Sequence, residues 1–272
     1  MPLHLNPKPS LVAYVTCGDP DLPTTRDIVV AAIDAGAQVV ELGVPFSDPV
    51  ADGPVIQRAS ERALKNGTTL AQVLELARGV REQRPHAGLV LFSYLNPVLR
   101  MGLGRFAAAA GDAGIDGALI TDLTVEEAGD YLRAMRSRDL ATIFLAAPTS
   151  TDQRLKRIAE ASRGFVYAVS RTGVTGAREE VAADARKLVA RLRKFTRLPI
   201  AVGFGISTPA QLAEVAKFAD AAVVGSAIVQ AIEQAGRERA PQAVAELVSL
   251  LLGERRKEHS AVSTQQSAKA VR

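Results

Sequence analysis

Gln38-Val39-Val40-Glu41-Leu42-Gly43-Val44 runs directly into Pro45-Phe46-Ser47-Asp48-Pro49-Val50-Ala51-Asp52-Gly53-Pro54. The first part reads as a strand that is apolar on both faces apart from one carboxylate. The second reads as a loop, broken up by Pro45, Pro49, Gly53 and Pro54 and carrying acids at Asp48 and Asp52. An unpaired ionised carboxylate inside such a strand costs several kcal/mol, and Val or Ile would ordinarily stand there. Glu41 therefore points to chemistry, and the acid-bearing loop after it points the same way. Asp48, before a proline, reads as a turn former.

Working outward, runs of the same kind recur at residues 11–17, 88–94, 117–123, 142–147, 164–170, 199–205 and 221–227. Apolar on both faces, they suit central strands of a parallel sheet covered on each side. Helical periodicity fills the intervals: 24–35, 69–82, 105–113, 125–138, 152–161, 179–194, 208–218 and 241–252. Thr24 and Gly36 make a plausible cap pair for the first helix. Ser207-Thr208-Pro209 is a good start for a later one, with proline at the first helical position. Strands alternating with helices, without a break in composition, predict an α/β chain folded as a single (β/α)8 TIM barrel over residues 1–253. A doubly wound open sheet is the alternative, but the text after the first strand is Cys17-Gly18-Asp19-Pro20-Asp21, a turn and not a nucleotide-binding glycine loop. Residues 254–272 are polar and aperiodic, and are expected to be a disordered tail.

The net charge of +4 and pI near 9.4 raise the question of nucleic acid. Lys and Arg are dense only at Arg191-Leu192-Arg193-Lys194 and Glu254-Arg255-Arg256-Lys257, which fit solvated helix faces or ends better than a phosphate-binding stripe. Cys17 is the single cysteine, so no internal disulfide forms and a reducing compartment is expected. The opening MPLHLNPKPS lacks the apolar core of a signal peptide, and no run reaches membrane-spanning length. A cytoplasmic protein with no membrane or nucleic-acid partner is expected.

Active sites of such barrels form where the strands end. The second strand delivers Glu41 and the Asp48–Asp52 loop, and the fourth delivers Asp122. The sixth leads into Arg171-Thr172-Gly173-Val174-Thr175-Gly176, the seventh into Gly203-Phe204-Gly205-Ile206, and the eighth into Gly225-Ser226-Ala227. Glycines on three neighbouring exits, one of them opening a helix, predict a phosphate site built from backbone N–H groups. The predicted strands hold no lysine for Schiff-base chemistry. His4, His86 and His259 lie at the terminus, in a helix–strand link and in the tail, so no metal site is expected. Carboxylates remain, and with them acid–base chemistry on a phosphorylated small molecule. Desolvation should raise the pKa of Glu41, while Asp52 in a polar loop should stay ionised. Tyr14, Phe92, Tyr94, Tyr167 and Phe204 fall toward the strand ends, where core filling is the default and a flat apolar pocket the functional alternative.

Leu42 to Gln57, LGVPFSDPVADGPVIQ, resembles the signature of the tryptophan synthase alpha subunit family. So, in the family's order, do Tyr14–Pro20, Tyr94–Val98, Ala147–Thr149, Ser170–Gly176, Gly203–Ser207 and Val224–Val229, and the resemblance spans residues 11–252. It implies retro-aldol cleavage of indole-3-glycerol phosphate to indole and glyceraldehyde 3-phosphate, in tryptophan biosynthesis. By the same resemblance Glu41 is the catalytic acid/base and Asp52 its partner at the indole nitrogen. Gly176, Gly205, Gly225 and Ser226 would contact phosphate, and Tyr14, Phe92, Thr121, Tyr167, Thr175 and Phe204 would surround the indole. The loops after the second and sixth strands would close on substrate and touch a beta subunit, in an alpha2-beta2 heterotetramer. No cofactor is implied for this chain; pyridoxal phosphate would belong to the beta partner.

Two departures stand out. The family opens with an amphipathic helix that plugs the barrel bottom, whereas about ten proline-rich residues precede the first strand here. Where the family reads Asp-Leu-Pro after the fourth strand, this chain has Asp122-Leu123-Thr124. Alternatives are another phosphate-binding barrel such as a sugar-phosphate isomerase or epimerase, a non-catalytic activating subunit, and a stand-alone lyase. Activity toward indole-3-glycerol phosphate separates the first from the main reading, and the retained Glu41 and Asp52 argue against the second, which has no need of a buried acid.

Overall fold

The computed structural model describes residues 3, 5, 10–169, 178–203 and 205–253. The expected tail 254–272, Thr175, Gly176 and Phe204 lie outside the described residues. The chain runs β1 (Ser10–Thr16), α1 (Leu22–Asp34), β2 (Val39–Gly43), α2 (Pro54–Lys65), α3 (Leu70–Gln83), β3 (Gly88–Ser93), α4 (Leu95–Met101) and α5 (Leu103–Asp112). It continues through β4 (Gly117–Ile120), α6 (Gly129–Arg136), β5 (Ala141–Ile143), β6 (Leu145–Ala146), α7 (Asp152–Ala161), β7 (Val166–Val169) and α8 (Arg178–Leu192). It closes with β8 (Ile200–Gly203), α9 (Pro209–Ala216), β9 (Ala221–Val224) and α10 (Ser226–Leu252).

All the strand pairs are parallel, in the order β5-β4-β3-β2-β1-β9-β8-β7-β6. The two terminal strands of that order are separated in sequence by Phe144 alone, so the sheet comes back on itself at one residue. This is the expected barrel with its fifth strand in two pieces, and the open-sheet alternative fails.

Strand alternation sorts the core into two shells. Leu11, Ala13, Val15, Val40, Leu42, Leu89 and Leu91 face outward into the layer beneath the helices. Val12, Val39, Val90, Leu119, Ile143, Phe165, Ala201, Ala221 and Val223 face inward and fill the lumen. Leu3 and Leu5 join the inner shell, 7% and 4% exposed. Leu3 lies against Gly88 and Gly164, where a Cβ would come within 3.3 and 2.9 Å of its methyls. Two leucines thus supply apolar filling at the barrel floor, where the family resemblance implied a helix.

Several helix expectations need correction. The first helix is capped by Asp21, whose Oδ1 accepts from the Thr24 amide at 2.8 Å, and so begins before Thr24. The stretch read as loop through Pro54 turns helical there: α2 opens on that proline and buries Ala59, Ser60 and Ala63. The short helix α4 was likewise unforeseen. The helix expected to open after Gly225-Ser226 and the one expected over 241–252 are joined in α10, with a break in helical geometry at Gly236 (φ 71°) between them.

Candidate active site

On β2 the alternation puts Val39, Glu41 and Gly43 toward the lumen, while Val40 and Leu42 go outward. Glu41 stands in register between Tyr14 of β1 and Val90 of β3. Its side chain is fully buried, and neither carboxyl oxygen has a hydrogen-bond partner among the described residues. Burial pushes its pKa from 4.5 up to about 8. The group is therefore mostly protonated at neutral pH, as expected from an acid in an apolar strand.

Tyr14 meets Phe92 edge-on, with ring centroids 5.1 Å apart at 77°. Ala59 of α2 and Val229 of α10 pack with Tyr14, and Val55, Ile56 and Phe92 border the group, so α2 lies over the barrel mouth. Glycine makes room for two tyrosines. A Cβ on Gly43 would come within 2.4 Å of the Tyr14 hydroxyl, and one on Gly203 within 2.4 Å of the Tyr167 hydroxyl. Burial holds both phenols well above the usual tyrosine range; the Asp52 charge adds to this for Tyr14, and the Glu41 charge for Tyr167. Both rings therefore stay neutral beside the carboxylates.

Asp52 is held differently. The Tyr94 hydroxyl donates to its Oδ2 at 3.1 Å, and Gln57 Nε2 donates to its carbonyl at 2.9 Å. Burial raises its pKa from 3.8 to about 6, with the Tyr94 hydrogen bond acting in the opposite direction. Asp52 is thus the more readily ionised of the two, as expected, although burial lifts it above an exposed loop acid.

Of the phosphate candidates, Gly205 has φ 75°, and open space surrounds the position of a Cβ. Gly225 is the N-cap of α10 and Ser226 its first residue, exposed at the mouth. The Cβ position of Gly225 lies 3.6 Å from Tyr14 Cβ and 3.8 Å from Ile56 Cδ1, which sets this helix start beside the tyrosine. Thr121 donates its amide to Ser93 O at 2.9 Å and lines a cleft of about 560 Å³ with Asp122, Thr124, Leu145 and Arg154. That cleft lies between the loops after β4 and β6, with Glu41 not among its walls. Thr121 consequently marks the margin of the site. No helix among the described residues is long and apolar enough to cross a membrane.

Some participants were not singled out from sequence. Tyr94 was read as one more strand aromatic, but it anchors the Asp52 loop. Thr16, buried two residues beyond Tyr14 on the same face of β1, sets its hydroxyl beside the Tyr14 phenol. Arg62 of α2 holds both oxygens of the buried Asp19 at 2.8 Å and also reaches Glu233 of α10 at 2.7 Å. Only the parity of Thr16 with Tyr14 could have signalled any of these, since the other contacts join residues far apart in sequence.

Comparison with known proteins adds the following. The family model described as tryptophan synthase alpha chain matches residues 3–259. A tryptophan synthase alpha chain from Solibacter usitatus is 57% identical over 225 residues, covering 83% of this chain and 84% of the relative. One from Geobacter sulfurreducens is 49% identical, covering 92% and 94%. Among solved structures, a tryptophan synthase from Mycobacterium tuberculosis matches with TM-score 0.83 and 38% identity, over 90% of this chain and 92% of that one. A tryptophan synthase complex from Pyrococcus furiosus matches with TM-score 0.83 and 40% identity, over 90% and 98%.

Proposed function

We propose a two-carboxylate mechanism for this chain, which belongs to the tryptophan synthase alpha chain family. The chain is the lyase component of tryptophan synthase, and it cleaves indole-3-glycerol phosphate to indole and glyceraldehyde 3-phosphate. The observation that carries the mechanism is Glu41: a fully buried carboxyl in the lumen, with no hydrogen-bond partner for either oxygen among the described residues and a pKa near 8.

Protonated Glu41 delivers its proton to indole C3, making the ring an iminium-like electron sink. Ionised Asp52 accepts the ring N–H and stabilises that positive charge. Glu41, now a carboxylate, takes the proton of the glycerol hydroxyl next to the scissile bond. The O–H electrons form the aldehyde C=O, the C–C bond breaks, and its electron pair restores the indole. One proton leaves Glu41 and one returns, so no net acid or base is consumed.

Gly205, Gly225 and Ser226, with Gly176 outside the described residues, hold the phosphate through backbone N–H groups and the start of α10. Tyr14, Phe92, Thr121 and Tyr167, joined by Thr175 and Phe204, enclose the ring. The route needs no cofactor, and pyridoxal phosphate belongs to the beta partner. Family membership implies a beta-subunit partner, and we assign an alpha2-beta2 stoichiometry. The lone buried Cys17 fits a reducing compartment, and the cytoplasm is the proposed location.

The test is indole release from indole-3-glycerol phosphate by the purified chain, alone and with its beta subunit. Slow release alone and faster release in the complex are expected. No release under either condition would overturn the mechanism.

A further inference from the structure

Tyr94 stands where β3 gives way to α4, 2% exposed. Its hydroxyl makes two contacts with the loop after β2: it donates to Asp52 Oδ2 at 3.1 Å and accepts from the Ala51 amide at 2.9 Å. Its ring stacks on Phe46 of the same loop, centroids 4.9 Å apart at 28°. The next residue, Leu95, is fixed in turn, because its amide donates to Asp122 Oδ1 at 2.7 Å. A rigid phenol from the barrel wall thus grips the loop at both ends and at its acid. Among the described residues no Arg or Lys forms an ion pair with Asp52, so a neutral donor is what supports its charge.

We propose that Tyr94 is a positioning residue for the cleavage reaction, its hydroxyl setting where the Asp52 carboxylate stands and favouring the charged form. The proposal rests on Asp52 serving the indole nitrogen. The other titratable groups facing this pair are Glu41 from β2, Tyr14 from β1, Tyr167 from β7 and Asp122 after β4. All are acids or neutral phenols, and none can replace Tyr94 as a support for negative charge unless it donates a hydrogen bond. Removing the hydroxyl alone should make Asp52 harder to ionise, while the ring still stacks on Phe46.

The experiment compares pH profiles of kcat/KM for wild type, Tyr94→Phe and Asp52→Asn. Wild type should show an acid limb near 6, from Asp52, and an alkaline limb near 8, from Glu41. In Tyr94→Phe the acid limb should move up by about one pH unit, the roughly tenfold change expected from losing one hydrogen bond to a charged carboxylate. Activity should then fall about fivefold at pH 6 and little at pH 8, with the alkaline limb unmoved. Asp52→Asn should have no acid limb, and adding Tyr94→Phe to it should leave the profile shape unchanged. If Asp52→Asn loses the limb but Tyr94→Phe tracks wild type, the positioning role alone is overturned. If Asp52→Asn keeps the limb, the Asp52 assignment falls and the proposal with it. Should Tyr94→Phe fail to fold, 3-fluorotyrosine placed at position 94, which keeps the ring and makes the hydroxyl a stronger donor to Asp52 Oδ2, becomes the test: a downward displacement of the acid limb upholds the proposal, and a wild-type profile overturns it.

Discussion

The two carboxylates proposed to carry the reaction are held in opposite ways. Glu41 is fixed by its strand, flanked by β1 and β3, and its carboxyl touches no hydrogen-bond donor among the described residues. Asp52 sits on an irregular loop and is fixed by side chains from elsewhere, Tyr94 from the wall and Gln57 from α2. The difference suits their tasks. A group that must surrender and recover a proton gains from an environment favouring neither a fixed partner nor the charged form. A group that must remain charged beside a developing cation needs a donor to keep it so.

The hardest test of this contrast is Glu41→Gln, which keeps shape and removes the proton. Indole formation should fall by about 10²–10⁴, the range for a lost general acid–base, while substrate still binds. Retention of more than roughly a tenth of the rate would remove Glu41 from the mechanism.

The same variant sharpens the comparison through stability. With a folded pKa near 8 against 4.5 for an exposed glutamate, native Glu41 binds more protons than its unfolded counterpart between those values. Wild-type stability therefore drops as pH rises from about 4.5 toward 8, and the loss stays complete above that. Glu41→Gln escapes this loss. Its denaturant midpoint should exceed wild type increasingly across that window, by several kcal/mol of stability at most. Parallel curves for the two proteins would show that the carboxyl is solvated.

A third test probes the loop's distant supports. Arg62→Met strands the Asp19 carboxylate, which is 5% exposed, and leaves Arg58 as the α2 arginine paired with Glu233. With Arg62 about a third exposed, the cost should be about 2 kcal/mol, below that of a fully buried pair. Asp19→Asn in the same chain should recover part of it, as measured by thermal melting. The alkaline limb from Glu41 should not move.

The smallest effect concerns phosphate. Gly205→Ala meets open space at Cβ but must hold φ near 75°, so strain alone should cost about 1 kcal/mol. KM should rise severalfold with kcat nearly unchanged. A change confined to kcat would place the anion elsewhere.

The fold and Glu41 were legible because both rest on alternation within one short stretch. A barrel strand is apolar throughout, and a lone acid of inward parity has nowhere to hide. Helix α2 was missed because Gly53-Pro54 reads equally as a turn and as a helix start. Its period, Val55, Ile56, Ala59 and Ala63, becomes decisive only when Tyr14 is known to lie beneath it. Tyr94 could not be identified as the loop's anchor, since the hydrogen bond to Asp52 joins residues 42 apart. The split of the fifth strand at Phe144 leaves no mark in a run that is apolar from end to end. The partial burial of Asp52 was hidden for the same reason: the side chain that covers its carboxylate, Tyr94, comes from the barrel wall.

The leucines at the barrel floor carry a consequence for how the chain is made. Leu3 and Leu5 are translated well ahead of Phe165, Ala201 and Val223, about 160 to 220 residues further along the chain, which form part of their seat. At about 5–20 residues per second, they must wait on the order of ten seconds or more before that seat is translated. Throughout that interval two apolar side chains remain available to chaperones or to neighbouring nascent chains. The floor beneath the buried acid is therefore completed only once β9 has been made and takes its place beside β1.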